Sequence, residues 1–285
     1  MNHYTAEIHD LGGFSVRRAL PNPKHDLIGP FVFFDHFGPV TFPPGKGIDV
    51  RPHPHIGIAT VTYLFEGQII HRDSLGNTGA IEPGEVNLMS TGKGMVHSER
   101  TAEDVFNNES RLHGIQLWLA LPLELEEMEP EFIHYPKQDI PRNREDNVIY
   151  SVIMGEAMHL SSPVKTYSPM FYCEVFSTAT TTVHLTSPNN DQQGIYIATG
   201  SIEFEGHTYQ QGDLICSESA QDLHVILTDE TRILYFGGQQ LEGKRHKHWN
   251  FVSSRRERIQ QAREDWKAMR FDLIPDDQDD FIPLP

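Results

Sequence analysis

Residues 51–57 read RPHPHIG, and they are the most informative stretch of the chain. The two histidines, His53 and His55, lie two positions apart, and side chains with that spacing point to the same face of a β-strand. Residues 58–64 follow at once with IATVTYL, a run rich in β-branched residues that is typical of a strand. The stretch therefore predicts two imidazole rings on one face of a β-sheet.

A second pair of candidate ligands lies downstream, where residues 94–99 read GMVHSE. His97 and Glu99 are again two positions apart, so they share a face if this segment is also a strand. If the two segments are neighbours in a barrel, three imidazole nitrogens and one carboxylate oxygen meet at one interior point. That donor set suits a divalent first-row metal and leaves coordination positions open, as catalytic sites do. We therefore expect one metal ion, held by His53, His55, His97 and Glu99.

Glycine and proline turns recur around both segments and predict an all-β chain, because turns spaced about 8–12 residues apart are typical of sandwiches and barrels. An H-x-H segment, the Pro83–Gly84 turn and a downstream histidine together form the pattern of a cupin barrel. Strand-like runs continue over residues 170–236, with a turn predicted at Asn189–Asn190. Because residues 64–85 resemble residues 198–213, we expect two copies of one barrel.

The predicted fold class is all-β, with two tandem cupin domains, each a β-barrel or jelly roll, and a short C-terminal α-helix. Residues 121–147 are rich in glutamate and proline, which disfavour a regular sheet. We therefore place a linker at residues 136–147, between a metal-binding barrel over residues 1–135 and a second barrel over residues 148–285.

The C-terminal region carries the one clear helical pattern. Ser254 and Glu257 have the spacing of a capping box, and the apolar residues that follow share one helical face. The helix is predicted over about residues 254–269, followed by an acidic tail. In the second barrel, residues 195–199 read IYIAT where an H-x-H would stand, so we expect a degenerate barrel without a metal.

Composition narrows the classes of partner and the location. The chain has 285 residues, with 23 Lys and Arg against 40 Asp and Glu, a net charge of −17. Such a charge repels phosphate backbones and anionic lipids, so neither direct nucleic-acid binding nor membrane binding is expected. The first residues lack the apolar core of a secretory signal, and Cys173 and Cys216 are too few and too far apart for a disulfide framework. A cytoplasmic monomer is the default expectation.

Several stretches resemble the pirin family: HPHIGIATVTYLFEG at residues 53–67, HRDSLG at 71–76 and IEPGEVNLMSTGKGMVHSE at 81–99. Shorter similar segments lie at residues 29–39, 114–118 and 248–252. The resemblance implies a bicupin whose N-terminal barrel alone binds metal, through the four residues already named. It also implies Fe(II) as the ion, with other first-row divalent ions accepted by some members.

Several bacterial pirin-like proteins are quercetinases, which open a flavonol with O2 and release carbon monoxide. The resemblance thus implies a metal-dependent quercetin 2,3-dioxygenase, acting on a flavonol or a similar small aromatic enediol. Glu99 is then a candidate base for the 3-hydroxyl proton, or it only balances charge at the metal. The alternative is an iron- or redox-dependent regulator that binds a protein partner without turnover. A metal-dependent isomerase is a third reading, since fold does not fix the reaction.

Five further residues are candidates for the pocket or for a layer behind the ligands: His36, His71, Asp73, Gln116 and Trp118. Each also has an ordinary structural explanation. His36 would make a hydrogen bond in a tight turn, His71 and Asp73 would sit at a solvated hairpin tip, and Gln116 and Trp118 would pack in the core.

Overall fold

A computed structural model describes residues 1–11, 13–187 and 191–285, so the turn predicted at Asn189–Asn190 lies outside the described residues. Strands dominate the described part, as the sequence predicts. In chain order they are β1 (Asn2–Thr5), β2 (Glu7–Asp10), β3 (Ser15–Leu20), β4 (Phe31–Phe42), β5 (Asp49–His55), β6 (Ile58–Glu66), β7 (Ile69–Asp73), β8 (Thr78–Ile81), β9 (Val86–Ser90), β10 (Met95–Arg100), β11 (Ser110–Ala120), β12 (Glu131–Tyr135), β13 (Arg142–Glu145), β14 (Val148–Ala157), β15 (Leu160–Ser161), β16 (Met170–Ser177), β17 (Thr181–Leu185), β18 (Gln192–Thr199), β19 (Ser201–Phe204), β20 (His207–Gln210), β21 (Asp213–Ser217), β22 (Leu223–Leu227), β23 (Arg232–Gly238), β24 (His246–His248) and β25 (Phe251–Ser253). The described helices are α1 (Glu103–Phe106) and α2 (Arg256–Lys267), with 3-10 turns at Leu123–Leu125 and Lys137–Asp139.

The chain divides into two compact units. Unit 1 consists of residues 1–9, 17–36 and 136–241, and unit 2 of residues 10–16, 37–135 and 242–285. The chain passes from unit 2 to unit 1 at residue 136, where the sequence predicts the start of a linker. The two termini differ from the prediction: residues 1–9 belong to the same unit as residues 136–241, and residues 242–285 belong to the same unit as residues 37–135. The reason is long-range strand pairing: β1 pairs with β21 inside unit 1, and Ile56 forms a bridge with Phe251 inside unit 2.

Unit 2 is built from two sets of antiparallel strands. One sheet has the order β5-β10-β7-β8, and a second set pairs in the order β12-β9-β6-β11. The apolar residues Leu64, Ile69, Ile81 and Leu112 come from both sets and meet in one core cluster. The first sheet contains both segments that carry the candidate ligands.

Unit 1 also has two sheets, with the orders β1-β21-β18-β23-β16-β14-β13 and β17-β22-β19-β20. Its core is apolar, and Ile195 and Ile197 are fully buried within it. Sheet order makes β17 the counterpart of β5 and β18 the counterpart of β6, so Ile195 and Ile197 do not take the place of the H-x-H pair, contrary to the sequence prediction. In β17, Val183 and Leu185 are buried in the same apolar cluster. The predicted linker is partly regular, since β13 in residues 142–145 pairs with β14.

Helix α2 lies within the predicted range, and Ile259, Ala262 and Trp266 form its buried face. The predicted capping box is wrong, because the residue before the helix is Arg255 and no side chain caps the first turn. Ser254 instead donates its hydroxyl hydrogen bond to Glu126 at 2.8 Å. The Ser254 hydroxyl, which the local sequence pattern assigned to the helix cap, therefore binds the buried Glu126 carboxylate instead. No helix in the described part of the chain is long and apolar enough to cross a membrane.

Candidate metal centre

Strands β5 and β10 pair antiparallel and bring the three predicted histidines together. The Cα of His97 lies opposite that of His53, and Met95 lies opposite His55. One ligand atom from each of His53, His55 and His97 lies within 4.8 Å of the other two. The two Nε2 atoms of His55 and His97 are 3.1 Å apart. Two ligands at right angles around a metal, each at the usual 2.0–2.1 Å, are about 2.9 Å apart, so this spacing fits a shared ion.

Burial also gives these rings the protonation state that a metal needs. Desolvation lowers the pKa of His53 to about 4, and it lowers the pKa of His55 and of His97 well below their usual value. All three imidazoles are therefore neutral at pH 7 and keep a lone pair. Nδ1 of His53 donates a hydrogen bond to the Arg51 carbonyl at 2.8 Å, which leaves its Nε2 free for a metal. The donor set thus fits a divalent first-row ion.

Glu99 lies beside the histidines but outside this close group. The β5–β10 register shifts between His97 and Glu99, where β5 has one residue more than β10, so Glu99 lies opposite Val50 of β5. Its Oε1 accepts a 3.4 Å hydrogen bond from Thr62. Burial raises the pKa of the Glu99 carboxyl, although the nearby His71 and the Thr62 hydroxyl act in the opposite direction. Its role as a fourth ligand stays a prediction.

His71 and Asp73 form a buried pair next to the ligands rather than a solvated hairpin tip. They lie opposite Glu99 and His97 in the β7–β10 pairing, so they share the inner face. Nε2 of His71 is 2.9 Å from Oδ2 of Asp73, and the two residues are only 4% and 0% exposed. The imidazole centroid of His71 is 5.4 Å from that of His97. Asp73 therefore orients a ring that contacts a candidate ligand.

Strand β11 supplies two more of the predicted pocket residues. Trp118 packs edge-on against the His55 ring, with centroids 5.1 Å apart. Gln116 lies opposite Thr62, whose hydroxyl is 2.8 Å from the Gln116 Oε1.

Thr62 has one hydroxyl proton, which goes to Glu99 when the Gln116 amide presents its NH2 group to the Thr62 oxygen. Thr62 then joins Gln116 to Glu99, and sequence reasoning missed it. The available signal was the pair of threonines two positions apart, Thr60 and Thr62, in a mostly apolar strand directly after the H-x-H pair.

Two further residues remain to be placed: Phe132, which the sequence did not predict, and His36, which it did. Phe132 stacks on the His71 ring at 4.3 Å, and it was missed because it lies in the glutamate-rich stretch. His36 belongs to unit 1, where it is fully buried and its Nδ1 is 3.0 Å from the Tyr196 hydroxyl. His36 thus makes a hydrogen bond, as its structural explanation expects, but within β4 rather than in a tight turn. Its place in a pocket stays a prediction.

Comparisons with known proteins agree with this architecture. The family model described as Pirin matches residues 13–119, and the model described as Pirin C-terminal cupin domain matches residues 172–272. A pirin-like protein of Caulobacter vibrioides is 41% identical over 99% of this chain and 98% of its own length. A Pseudomonas aeruginosa protein with the provisional name quercetin 2,3-dioxygenase is 35% identical over 94% of this chain and 84% of its own.

The crystal structure of a quercetin 2,3-dioxygenase from Acinetobacter baumannii superposes with a TM-score of 0.93 at 33% identity, covering 100% of this chain and 94% of the other. Both halves of the chain are therefore accounted for, the first by the Pirin model and the second by a cupin model. The chain belongs to the pirin family and is a bicupin.

Proposed function

We propose that this protein is a metal-dependent dioxygenase that opens the ring of a flavonol such as quercetin with O2. One observation carries the proposal: three neutral, buried imidazoles converge on one point beside the buried carboxyl of Glu99. Similarity over the whole chain to the Acinetobacter baumannii dioxygenase supports the substrate class.

His53, His55 and His97 would hold the ion, which we propose is Fe(II), with other first-row divalent ions as substitutes. When bound, the metal would supply Lewis acidity toward an enediol oxygen of the substrate. Glu99 accepts the 3-hydroxyl proton of the flavonol, because a carboxylate with a raised pKa is a stronger base. The Thr62 hydroxyl orients that carboxylate through its hydrogen bond.

The deciding experiment is quercetin turnover under air, with the metal content determined on the same sample. We expect O2 uptake and carbon monoxide release in proportion to bound metal, both lost after chelation and in His55→Ala. His184→Ala is the matched control, because His184 is an exposed histidine of unit 1.

Turnover that survives chelation and His55→Ala would contradict the proposed mechanism. Bound metal without turnover of any flavonol would contradict the dioxygenase and favour the regulator. The test of the regulator is to compare which proteins bind to the iron-loaded protein in its reduced and in its oxidised state. Substrate conversion without O2 would instead indicate isomerase chemistry.

A further inference from the structure

The outer faces of the two ligand strands are covered by the end of the chain. Val96 and Ser98 lie on either side of the inward-facing His97 in β10 and point to the other side of the sheet, yet both are 0% exposed. Val96 packs in a cluster with Trp266 of α2 and Ile274, and Phe271 packs against the same cluster. We call residues 271–285 the C-terminal strap.

Polar contacts anchor this strap to β10. The guanidinium of Arg100 donates to both carboxylate oxygens of Asp277, from Nε to Oδ2 at 2.9 Å and from Nη2 to Oδ1 at 2.8 Å. Nη2 also donates to Asp280 at 2.9 Å, and Nη1 contacts Asp49 at the start of β5. Ser98 donates its hydroxyl hydrogen bond to Asp277 at 2.7 Å. Bidentate Arg–carboxylate pairs of this kind are among the stronger and more directional side-chain interactions.

A second anchor ties the strap to β5. The backbone N–H of Ile282 donates to the carbonyl of Pro52, the residue before His53, at 2.9 Å. The indole N–H of Trp266 donates to the carbonyl of Ile282, also at 2.9 Å, so α2 holds the strap at this point. The strap therefore forms hydrogen bonds with both strands that supply candidate ligands, β5 and β10.

The position of these anchors matters because the β5–β10 register shifts between them, where Arg51 and Pro52 of β5 together oppose Ser98 of β10. A bulge interrupts the ladder and bends the strand, so local pairing alone holds this register less firmly. Ser98 and Arg100 flank Glu99, and Asp277 binds both of them.

We infer that the C-terminal strap is a positioning element for the metal centre, and that the Asp277–Arg100 pair with the Ile282–Pro52 bond slows metal loss by holding β5 and β10 in register. This rests on the metal binding proposed above. Arg100 and Asp277 touch no candidate ligand side chain in a described contact; they act through the strands.

The test compares full-length Asp277→Asn with Asp279→Asn, which removes the same charge from an exposed strap residue. Both are loaded with Zn²⁺, and release to a chelator is followed at pH 7.5. We expect release about tenfold faster in Asp277→Asn, since the variant loses the charge that strengthens its hydrogen bonds to Arg100, and partial exposure limits the effect. The Asp279→Asn rate should stay within about twofold of the unaltered protein, the ordinary range for a surface change.

Hydrogen exchange on the metal-free protein gives an independent readout. Amides of β10 should lose protection in Asp277→Asn and keep it in Asp279→Asn. If Asp277→Asn does not fold, Ser98→Ala makes the same comparison with a smaller change. Equal release rates and equal β10 protection in all forms would overturn the inference. If no form binds metal, the proposed function fails, and the exchange result alone decides whether the strap positions the strands.

Discussion

The environment of His53 prepares that residue for a metal rather than for a proton. The ring is 6% exposed, its Nδ1 hydrogen is used by the Arg51 carbonyl, and its pKa is lowered to about 4 because burial disfavours the imidazolium. A lone exposed histidine would be partly protonated near pH 6.5. The fold thus fixes both the tautomer and the neutral charge of the His53 ring in the metal-free protein.

The lowered histidine pKa values predict how the stability of the metal-free protein depends on pH. The unfolded chain binds protons at His53 below about pH 6.5, whereas the folded chain does so only below about pH 4. Stability is therefore complete above pH 6.5 and is lost as the pH falls from 6.5 towards 4, by on the order of 3 kcal/mol for His53. Urea unfolding at several pH values measures this. His53→Gln should flatten the slope in that window, and an unchanged slope would contradict the assignment.

Thr62 gives a second prediction for a single residue. Thr62→Val keeps the shape of the side chain but removes the hydroxyl that joins Glu99 to Gln116. We expect bound metal to stay unchanged and kcat for quercetin to fall by about tenfold, the cost of one hydrogen bond to a charged group. Thr62→Ser should restore the rate, since it restores the hydroxyl. Equal kcat in the valine and serine variants would show that the hydroxyl does not orient Glu99.

Among the elements, the turn between β5 and β6 shows why the H-x-H segment ends in glycine. Gly57 has φ +69°, a conformation that favours glycine, and a Cβ there would lie 2.0 Å from the carbonyl oxygen of Val252. The turn is thus pressed against the C-terminal part of unit 2. The same close approach allows Ile56 to bridge to Phe251.

The start of helix α2 is fixed by a buried ion pair, which predicts an effect on stability. Nε of Arg245 is 2.9 Å from Oε1 of Glu126, with side chains 1% and 3% exposed, and Ser254 donates to the same carboxylate. Glu126→Ala leaves a buried guanidinium unpaired, so we expect a loss of about 3–5 kcal/mol of unfolding free energy. Glu129→Ala breaks the exposed pair with Lys93 and should cost less than about 1 kcal/mol. Similar unfolding free energies for the two variants in urea would refute this ranking.

At the scale of the molecule, two units of similar style differ in what fills their interiors. Unit 2 brings His53, His55 and His97 together, whereas β17, the strand of unit 1 in the position of β5, buries Val183 and Leu185 in an apolar cluster. Apolar side chains offer a metal no ligand, so the ion is expected to act on one unit alone.

Metal loading should therefore stabilise the chain unevenly. A ligand that binds only the folded state adds stability in proportion to the logarithm of its concentration over Kd, about 2.7 kcal/mol at a hundredfold excess over Kd. We expect slower hydrogen exchange at β5, β7 and β10 on Zn²⁺ loading, and unchanged exchange at β16 and β23. Protection gained equally at β16 and β23, with none at β10, would place the ion elsewhere.

The sequence by itself determined the all-β class and the shared face of His53 and His55. These features follow from a period of two along a strand and from turn residues between strands, and both are local properties of the chain. The sequence predicted a meeting with His97 only on the condition that the two segments are neighbours, and the pairing of β5 with β10 meets that condition. The resemblance of residues 53–67 and 81–99 to pirins added the family, which the comparisons confirm.

Only the tertiary structure decided which segments belong to which unit, that Ser254 serves Glu126 rather than α2, and that His71 and Asp73 are buried beside His97. It also decided that Asp277 reaches Arg100, a residue 177 positions away. Each of these depends on contacts between parts of the chain that are distant in sequence. Composition and periodicity describe a residue's neighbours along the chain, and they carry no information about which distant carboxylate, imidazole or backbone carbonyl will meet it.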